Sequence, residues 1–190
     1  MNSEKILEQF RDTNALLEGH FILSSGLHSP KYLQCALALQ YPSDAAKYGR
    51  AIAEHFKDAE IETVASPAIG GLIIGYEVAK ELNVRFIWTE RKEEIMTLRR
   101  GFSIKKDEKI LAVEDVITTG GSIKECIDVL QENGGDVTNA ASIIDRSGGR
   151  ADVGVPRISL VELDVLSYER ESCPMCADGT EAVKPGSRGN

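Results

Sequence analysis

The sequence predicts an α/β fold in which a mainly parallel central sheet lies between helices. From residue 63 onward, strand-like and helix-like segments alternate along the chain. Residues 110–113 and 140–144 are unbroken apolar runs, typical of strands buried on both faces of a sheet. Such alternation indicates parallel strands joined by covering helices, with binding sites at the carboxyl ends of the strands.

The first 62 residues predict a small unit ahead of the sheet. Ser3 can cap an opening helix, and Gly19 is expected to close that opening segment. Strand-like runs at residues 20–23 and 32–35 indicate a hairpin with a long loop. Apolar residues at every fourth position then predict a helix over residues 43–59.

Four strands and two helices are predicted for the region of the central sheet. Strands are expected at residues 63–66, 85–89, 110–113 and 137–144, and helices at residues 72–82 and 122–133. Gly134 and Gly135 follow the second of these helices, where glycine commonly ends a helix.

Length and charge limit the classes of protein that the chain can be. Its 190 residues support one sizeable core, so we expect one domain, with a hood and N-terminal helix over about 1–40 and a surface or fraying tail over about 172–190. No apolar run reaches the roughly 18 residues of a membrane span, and no secretory signal begins the chain, so a cytoplasmic protein is expected. The net charge of -8 disfavours a nucleic-acid-coating surface.

The most informative segment is Glu-Asp-Val-Ile-Thr-Thr-Gly-Gly-Ser at residues 114–122. Its hydroxyl and glycine residues open a predicted helix, where backbone N–H groups can converge on an anion. The carboxylates of Glu114 and Asp115 repel phosphate and suit sugar hydroxyls or a metal ion, so the expected ligand carries both sugar and phosphate. No GxxxxGK[ST] or GxGxxG motif is present. The alternative is an ordinary strand-to-helix loop with an acidic cap.

This segment resembles the signature of type I phosphoribosyltransferases, which bind 5-phosphoribosyl 1-pyrophosphate (PRPP). The resemblance implies that Glu114 and Asp115 hold the ribose hydroxyls and that residues 118–122 surround the 5-phosphate. The PRPP-binding set that it implies is Arg91, Lys92, Glu114, Asp115, Val116, Ile117, Thr118, Thr119, Gly120, Gly121 and Ser122.

Two further segments fit the same ligand. Residues 66–71 form a glycine-containing strand-to-helix turn, and the family's corresponding loop binds pyrophosphate and often has an unusual backbone conformation. Its expected contacts are Ala68, Ile69, Gly70 and Gly71. Residues 90–102 are longer and more charged than a typical connection, which favours a mobile lid over a solvated loop. The cations expected to act from this lid are Arg91, Lys92, Arg99 and Arg100.

The whole chain is similar to orotate phosphoribosyltransferases. The motifs that carry this likeness are Phe-Ile-Leu-Ser-Ser-Gly at 21–26, Ser-Pro-Lys-Tyr at 29–32, Thr-Leu-Arg-Arg-Gly-Phe at 97–102, Ile-Asp-Arg at 144–146 and Cys-Pro-Met-Cys at 173–176. The likeness implies that Thr118 and Arg146 contact orotate, although the sequence alone would favour a surface salt bridge for Arg146. Common bacterial members carry lysine where this chain has Ser24 and Gly70, and lysine and histidine near Ile95 and Thr97. The lid arginines are therefore expected to supply the positive charge that these positions lack here.

The implied reaction joins orotate to the ribose of PRPP and releases pyrophosphate. It needs no protein nucleophile, so catalysis is expected from placement and charge, with Lys92, Arg99, Arg100 and Asp115 as catalytic residues. Magnesium would be bound mainly through PRPP, and no metal ligand is assigned to the protein. The family's lid reaches into a neighbouring subunit, which implies a homodimer. The alternatives are a purine-base phosphoribosyltransferase and a PRPP-sensing regulator.

Histidine and cysteine receive no catalytic role. His20, His28 and His55 are interpreted as structural or surface residues. The CxxC formed by Cys173 and Cys176 could be half of a zinc site, but a single pair is incomplete and plain thiols are the default interpretation.

Overall fold

The computed structural model describes residues 2–23 and 25–185, and its main sheet contains the four predicted strands and two more. The helices are α1 (Ser3–Asp12), α2 (Cys35–Leu39), α3 (Pro42–Ala53), α4 (Gly71–Leu82), α5 (Gly121–Glu132) and α6 (Pro174–Ala177). The strands are β1 (Leu16–Ile22), β2 (His28–Leu33), β3 (Thr63–Pro67), β4 (Arg85–Lys92), β5 (Ile95–Leu98), β6 (Lys109–Ile117), β7 (Asp136–Asp145) and β8 (Arg157–Glu162).

Six strands form the main sheet in the order β5-β4-β3-β6-β7-β8. All neighbouring pairs are parallel except β4 and β5, which form an antiparallel hairpin. Alternate strand residues pack into two separate cores. Leu111 packs with residues of α3 and α4, and the next residue, Ala112, packs with residues of α5 on the other face. The fold class is therefore the α/β arrangement that the alternation predicted.

The first helix and the following strand differ in detail from the prediction. Asn2, not Ser3, caps α1, because its side chain accepts a hydrogen bond from the Lys5 backbone N–H at 3.0 Å. Gly19 does not close the opening segment but lies within β1, which pairs with β2 as the predicted hairpin. This hairpin forms the hood, and Ser24 in its loop lies outside the described residues.

The predicted lid at residues 90–102 is more regular than expected. Strand β4 continues through Lys92 and turns back into β5 across Glu93 and Glu94, whose φ angles of 50° and 67° match a two-residue hairpin turn. Glutamate is not a residue that signals this turn, so the sequence suggested an irregular loop. Most of the segment is therefore an edge hairpin of the main sheet.

The C-terminal segment is surface-exposed in part, but its described residues do not fray. Tyr168 and His28 exchange backbone hydrogen bonds at 2.8 and 2.9 Å, and Val183 bonds the other edge of the hairpin through Ile22 and His20, each at 2.9 Å. The hood is thus flanked on both edges by the C-terminal segment. Residues 186–190 of the predicted tail lie outside the described residues.

Candidate active site

The acidic pair lies at the carboxyl end of β6, which runs four residues further than predicted. Burial, and secondly the neighbouring charge of Asp115, raise the pKa of Glu114 to about 9. Burial also raises the pKa of Asp115. Within residues 2–23 and 25–185, neither carboxylate forms an ion pair with a basic side chain. In the ligand-free protein Glu114 is therefore a protonated carboxyl near neutral pH, and the described chain offers no cation to balance a negative charge on the pair.

The predicted pyrophosphate loop lies directly against this pair. It follows β3, and its Ala68–Ile69 peptide bond is cis, which is the unusual backbone expected for this loop. A Cβ atom on Gly70 would lie 2.8 Å from Asp115 Oδ1, so a larger residue here would require the Asp115 carboxylate to shift. The acidic pair and the loop at residues 68–71 thus share one edge of the sheet.

The predicted phosphate turn joins β6 to α5. Gly120 has φ of 85°, a left-handed conformation that favours glycine, and α5 begins at the next residue. The first backbone N–H groups of a helix have no acceptor within the helix and carry its positive dipole end. The turn therefore presents donors to an anion next to the acidic pair.

A cavity of about 970 Å³ lies between this edge and the hood. Thr118, Thr119 and Arg146 line one side. Tyr32 and Gln34, which sequence reasoning missed, line the hood side. The only sequence signal for them was the position of the motif at residues 29–32, because their contact with the cavity depends on how the hood folds over the sheet.

Arg146 is the cationic residue of this cavity with the most distinctive environment. Its backbone N–H donates to the Ile117 carbonyl at 2.8 Å, which joins the ends of β6 and β7. Its Nε is buried and has no hydrogen-bond partner among the described residues, and burial lowers the pKa of its guanidinium. The prediction that Arg146 faces a ligand is thus consistent with its position, whereas the alternative of a surface salt bridge is not.

The lid cations lie apart from these groups. Arg99 and Arg100 both form ion pairs with Glu90, at 3.0 and 2.9 Å. Arg91 pairs with Glu125 on α5 at 2.7 Å. None of these arginines, nor Lys92, is among the residues that line the cavity. The structure therefore assembles the predicted ribose, phosphate and base residues but not the predicted lid contacts.

Cys35, interpreted from the sequence as an isolated thiol, begins α2 beneath the acidic pair. It is buried, and burial together with the charges of Asp115 and Glu114 raises its pKa well above the ordinary value. A neutral thiol at this position places no further charge in the site.

The comparisons with known proteins agree with this geometry. The family model for the phosphoribosyl transferase domain matches residues 39–166. The orotate phosphoribosyltransferase of Caldicellulosiruptor bescii is 53% identical over 188 residues, covering 99% of both chains. That of Thermotoga maritima is 50% identical over 184 residues, covering 97% of this chain and 98% of the relative.

Solved structures show the same relationship. The crystal structure of orotate phosphoribosyltransferase from Aeropyrum pernix has a TM-score of 0.69 at 26% identity, covering 83% of this chain and 93% of that one. Because the likeness spans nearly the full chain at about half identity, the chain belongs to the phosphoribosyltransferase family and, within it, to the orotate phosphoribosyltransferases.

Proposed function

We propose that this protein transfers ribose 5-phosphate from PRPP to orotate, giving orotidine 5′-monophosphate and pyrophosphate, a step of pyrimidine synthesis. The observation that carries the proposal is Arg146. Its buried Nε lacks an acceptor, it lines the cavity, and no carboxylate of the described chain is paired with it. Orotate, unlike a purine base, brings a carboxylate that matches a guanidinium fork.

The ribose and phosphate groups fit the neighbouring edge. Hydroxyls can donate to carboxylate oxygens, which supports a ribose-binding role for Glu114 and Asp115. Backbone N–H groups at a helix N-terminus bind anions, which supports a 5-phosphate role for the turn at residues 118–122. The loop at residues 68–71 then faces the pyrophosphate. The close approach of Gly70 to Asp115 and the position of Thr118 on the cavity support this arrangement of ligand groups.

Magnesium is part of this proposal. Hard carboxylate oxygens are suitable partners for Mg²⁺, and the acidic pair has no protein cation of its own among the described residues, so the site fits a ligand that carries the ion. Bound with PRPP, magnesium supplies positive charge that stabilises the departing pyrophosphate. The protein's part is to place the ribose carbon against the base and to exclude water with the hood and the β4–β5 hairpin.

A homodimer is also part of the proposal. Ile73 and Tyr76 lie three residues apart on α4 and are 46% and 58% exposed, and Ile69, in the loop just before the helix, is 84% exposed. Exposed apolar side chains at this spacing are typical of an interface. No helix in the described part of the chain is long and apolar enough to cross a membrane, and a cytoplasmic location remains a proposal.

The test is the loss of orotate absorbance on mixing the protein with orotate, PRPP and magnesium, with parallel reactions that offer adenine, guanine or xanthine. We expect turnover with orotate and with none of the three purine bases. Arg146→Ala should raise the orotate KM about 100-fold and leave the PRPP KM within about threefold, because a charged hydrogen-bonding partner is removed.

Arg50→Ala is the matched control, since Arg50 is exposed on α3 and pairs with Glu81. Turnover of a purine in place of orotate would move the protein to the purine-base enzymes. Binding of PRPP without turnover of any base would favour a PRPP-sensing regulator.

A further inference from the structure

Four potential metal ligands from distant parts of the chain meet beside the hood. His20 lies on β1, His28 on β2, and Cys173 and Cys176 at the start of α6. One ligand atom from each lies within 4.8 Å of all the others. His20, His28 and Cys173 are buried, with at most 5% of each residue exposed, so the groups face one another rather than water.

We propose that these residues form a structural Zn²⁺ site that joins the hood to the C-terminal segment. Two thiolates and two imidazoles are a standard ligand set for tetrahedral zinc. The two cysteines that the sequence offered as half a site thus acquire the missing half from the hairpin. None of these four residues belongs to the acidic pair, and a zinc ion here would be independent of the reaction proposed above.

The distances fit a tetrahedral ion with one adjustment. Zinc bond lengths imply nitrogen–sulfur separations of about 3.6 Å across a tetrahedron. His20 Nε2 lies 3.6 Å from Cys173 Sγ and 3.8 Å from Cys176 Sγ, and His28 Nδ1 lies 3.3 Å from Cys176 Sγ. The two imidazole nitrogens are 2.6 Å apart. A tetrahedral ion separates them to about 3.3 Å, so binding moves the rings apart by about 0.7 Å.

A hydrogen bond outside the cluster prepares His20 for this role. Its Nδ1 lies 2.8 Å from the Thr180 carbonyl oxygen, which can only accept, so Nδ1 carries the proton. The neutral ring then directs the Nε2 lone pair into the cluster. Metal-bound histidines commonly have such a partner on the other ring nitrogen, which holds the ring orientation.

The chemistry of the four groups selects the metal. Thiolate and imidazole ligands favour zinc over magnesium or calcium, which prefer oxygen. On binding, both cysteines release their protons to solvent, and His28 coordinates through Nδ1 with its proton on Nε2. Because four protein ligands leave no open position, the ion has a structural role and no catalytic one.

The site joins segments that shape the cavity. The histidines are on the two strands of the hood, and the cysteines lie between Tyr168 and Val183, which bond the two edges of that hairpin. Ile22, two residues beyond His20, and Lys184, next to Val183, both line the cavity. A metal at the cluster therefore stabilises one wall of the cavity at a distance from the ligand.

The first experiment measures the zinc content of untagged full-length protein, purified under reducing conditions from zinc-supplemented medium. We expect about one zinc per chain. Cys173→Ser and Cys176→Ser should each reduce it to less than about a tenth, and removal of zinc from the unaltered protein by a chelator should lower its melting temperature by roughly 5 °C or more. Added zinc should restore the melting temperature of the unaltered protein but not of the variants.

Two controls separate this site from other binding. Cys126→Ser changes a buried thiol in the α5 core, and His55→Ala changes an exposed histidine, and both should retain one zinc per chain. Cobalt substituted for zinc should give the visible and thiolate charge-transfer absorption of a tetrahedral site, again lost in Cys176→Ser. The proposal is overturned if reduced protein holds no zinc and its melting temperature does not respond to zinc. A Cys173–Cys176 disulfide that persists under these conditions would also overturn it.

Discussion

Asp145 and the acidic pair Glu114–Asp115 lie at the ends of the neighbouring strands β7 and β6, and their surroundings differ in charge. Asp145 at the end of β7 is fully buried and accepts hydrogen bonds from Ser147 N at 2.7 Å, Gly149 N at 3.1 Å and Arg157 Nη1 at 2.7 Å. Burial alone would raise its pKa, but these partners hold the pKa below its ordinary value. Glu114 and Asp115 on β6 have no such cation among the described residues, and their pKa values are raised.

The difference separates a structural carboxylate from ligand-binding ones. A buried charge whose partners are all in the protein stabilises the fold and has no capacity left for a ligand. Asp115 accepts a hydrogen bond from the Val116 backbone N–H at 2.8 Å, but no cation of the described chain balances a charge on the pair. A buried carboxylate without a cation costs stability, and a ligand that brings donors or a cation recovers that cost on binding. Asp145 and the acidic pair lie close together in the sheet. Asp145 has a cationic partner in the protein, whereas the acidic pair has none among the described residues, and this difference distinguishes a structural from a ligand-binding role.

The largest expected effect tests the structural side of this comparison. Asp145→Asn leaves the guanidinium of Arg157 in a buried position without its counter-charge, so the free energy of unfolding should fall by about 3 kcal/mol. Urea denaturation measures this change. Asp164→Asn is the control, because Asp164 forms an exposed ion pair with Arg150. Equal effects of the two substitutions would show that burial of the Asp145 pair has no special role.

The second prediction tests the ligand-binding side. Asp115→Asn should lower kcat/KM for PRPP about 100-fold, because a carboxylate that accepts from ribose is lost. Its free energy of unfolding should be unchanged or higher, the opposite direction to Asp145→Asn, since an uncompensated buried charge is removed. Turnover assays and urea denaturation of one preparation measure both quantities. A stability loss comparable to that of Asp145→Asn would contradict the comparison.

A third prediction concerns Glu90, a partly buried carboxylate that two arginines share. Glu90 pairs with both Arg99 and Arg100 on the hairpin, and these arginines must exchange that partner for pyrophosphate if they act in catalysis. The double substitution Arg99→Ala with Arg100→Ala should lower kcat at least tenfold with little change in stability. Lys57→Ala, which removes an exposed pair with Glu54, provides the control. Unchanged turnover would mean that both arginines are solvated charges.

The smallest effect is on the pH dependence of stability. The pKa of Glu114 is about 9 in the folded protein and 4.5 in its ordinary state, so between these values the folded state holds the extra proton. Stability of the ligand-free protein should therefore fall as pH rises through this window, by at most about 1.4 kcal/mol per pH unit. Asp145, with its lowered pKa, acts oppositely and loses its contribution as pH falls through the folded pKa.

Glu114→Gln should flatten this slope, and denaturation midpoints at several pH values measure it. Glu132→Gln on the exposed face of α5 should leave the slope unchanged. A slope that survives Glu114→Gln would assign the titration to another group, such as Asp115.

The sequence predicted the parallel core because burial on both faces leaves a local pattern. The apolar residues 110–113 and 140–144 lie within β6 and β7, and both helices that follow strands were found. Strand β8 was missed because it lies at the edge of the sheet, where four of its six residues are only partly buried and the pattern is weak. The short α2 offered too few residues for a helical period.

The candidate site divides in the same way. Glu114, Asp115 and the phosphate turn are contiguous, so their chemistry can be recognised in one string. The metal-ligand cluster could not be predicted, because it depends on the register of β1 with β2 and on the docking of a segment about 150 residues further along the chain. The pairing of Asp145 with Arg157 and the burial of Arg146 likewise follow from the fold and not from neighbouring residues.

The pairing of the hood with Tyr168 and Val183 has a consequence for biosynthesis. The hairpin is synthesised well before Tyr168 and Val183, the residues to which its two edges bond. One wall of the cavity therefore cannot close during most of translation, even after the strands of the central sheet have been synthesised. Contacts of such large sequence separation form slowly, so closure of the hood is a late event in maturation, and chains that stop before residue 183 lack a complete base pocket.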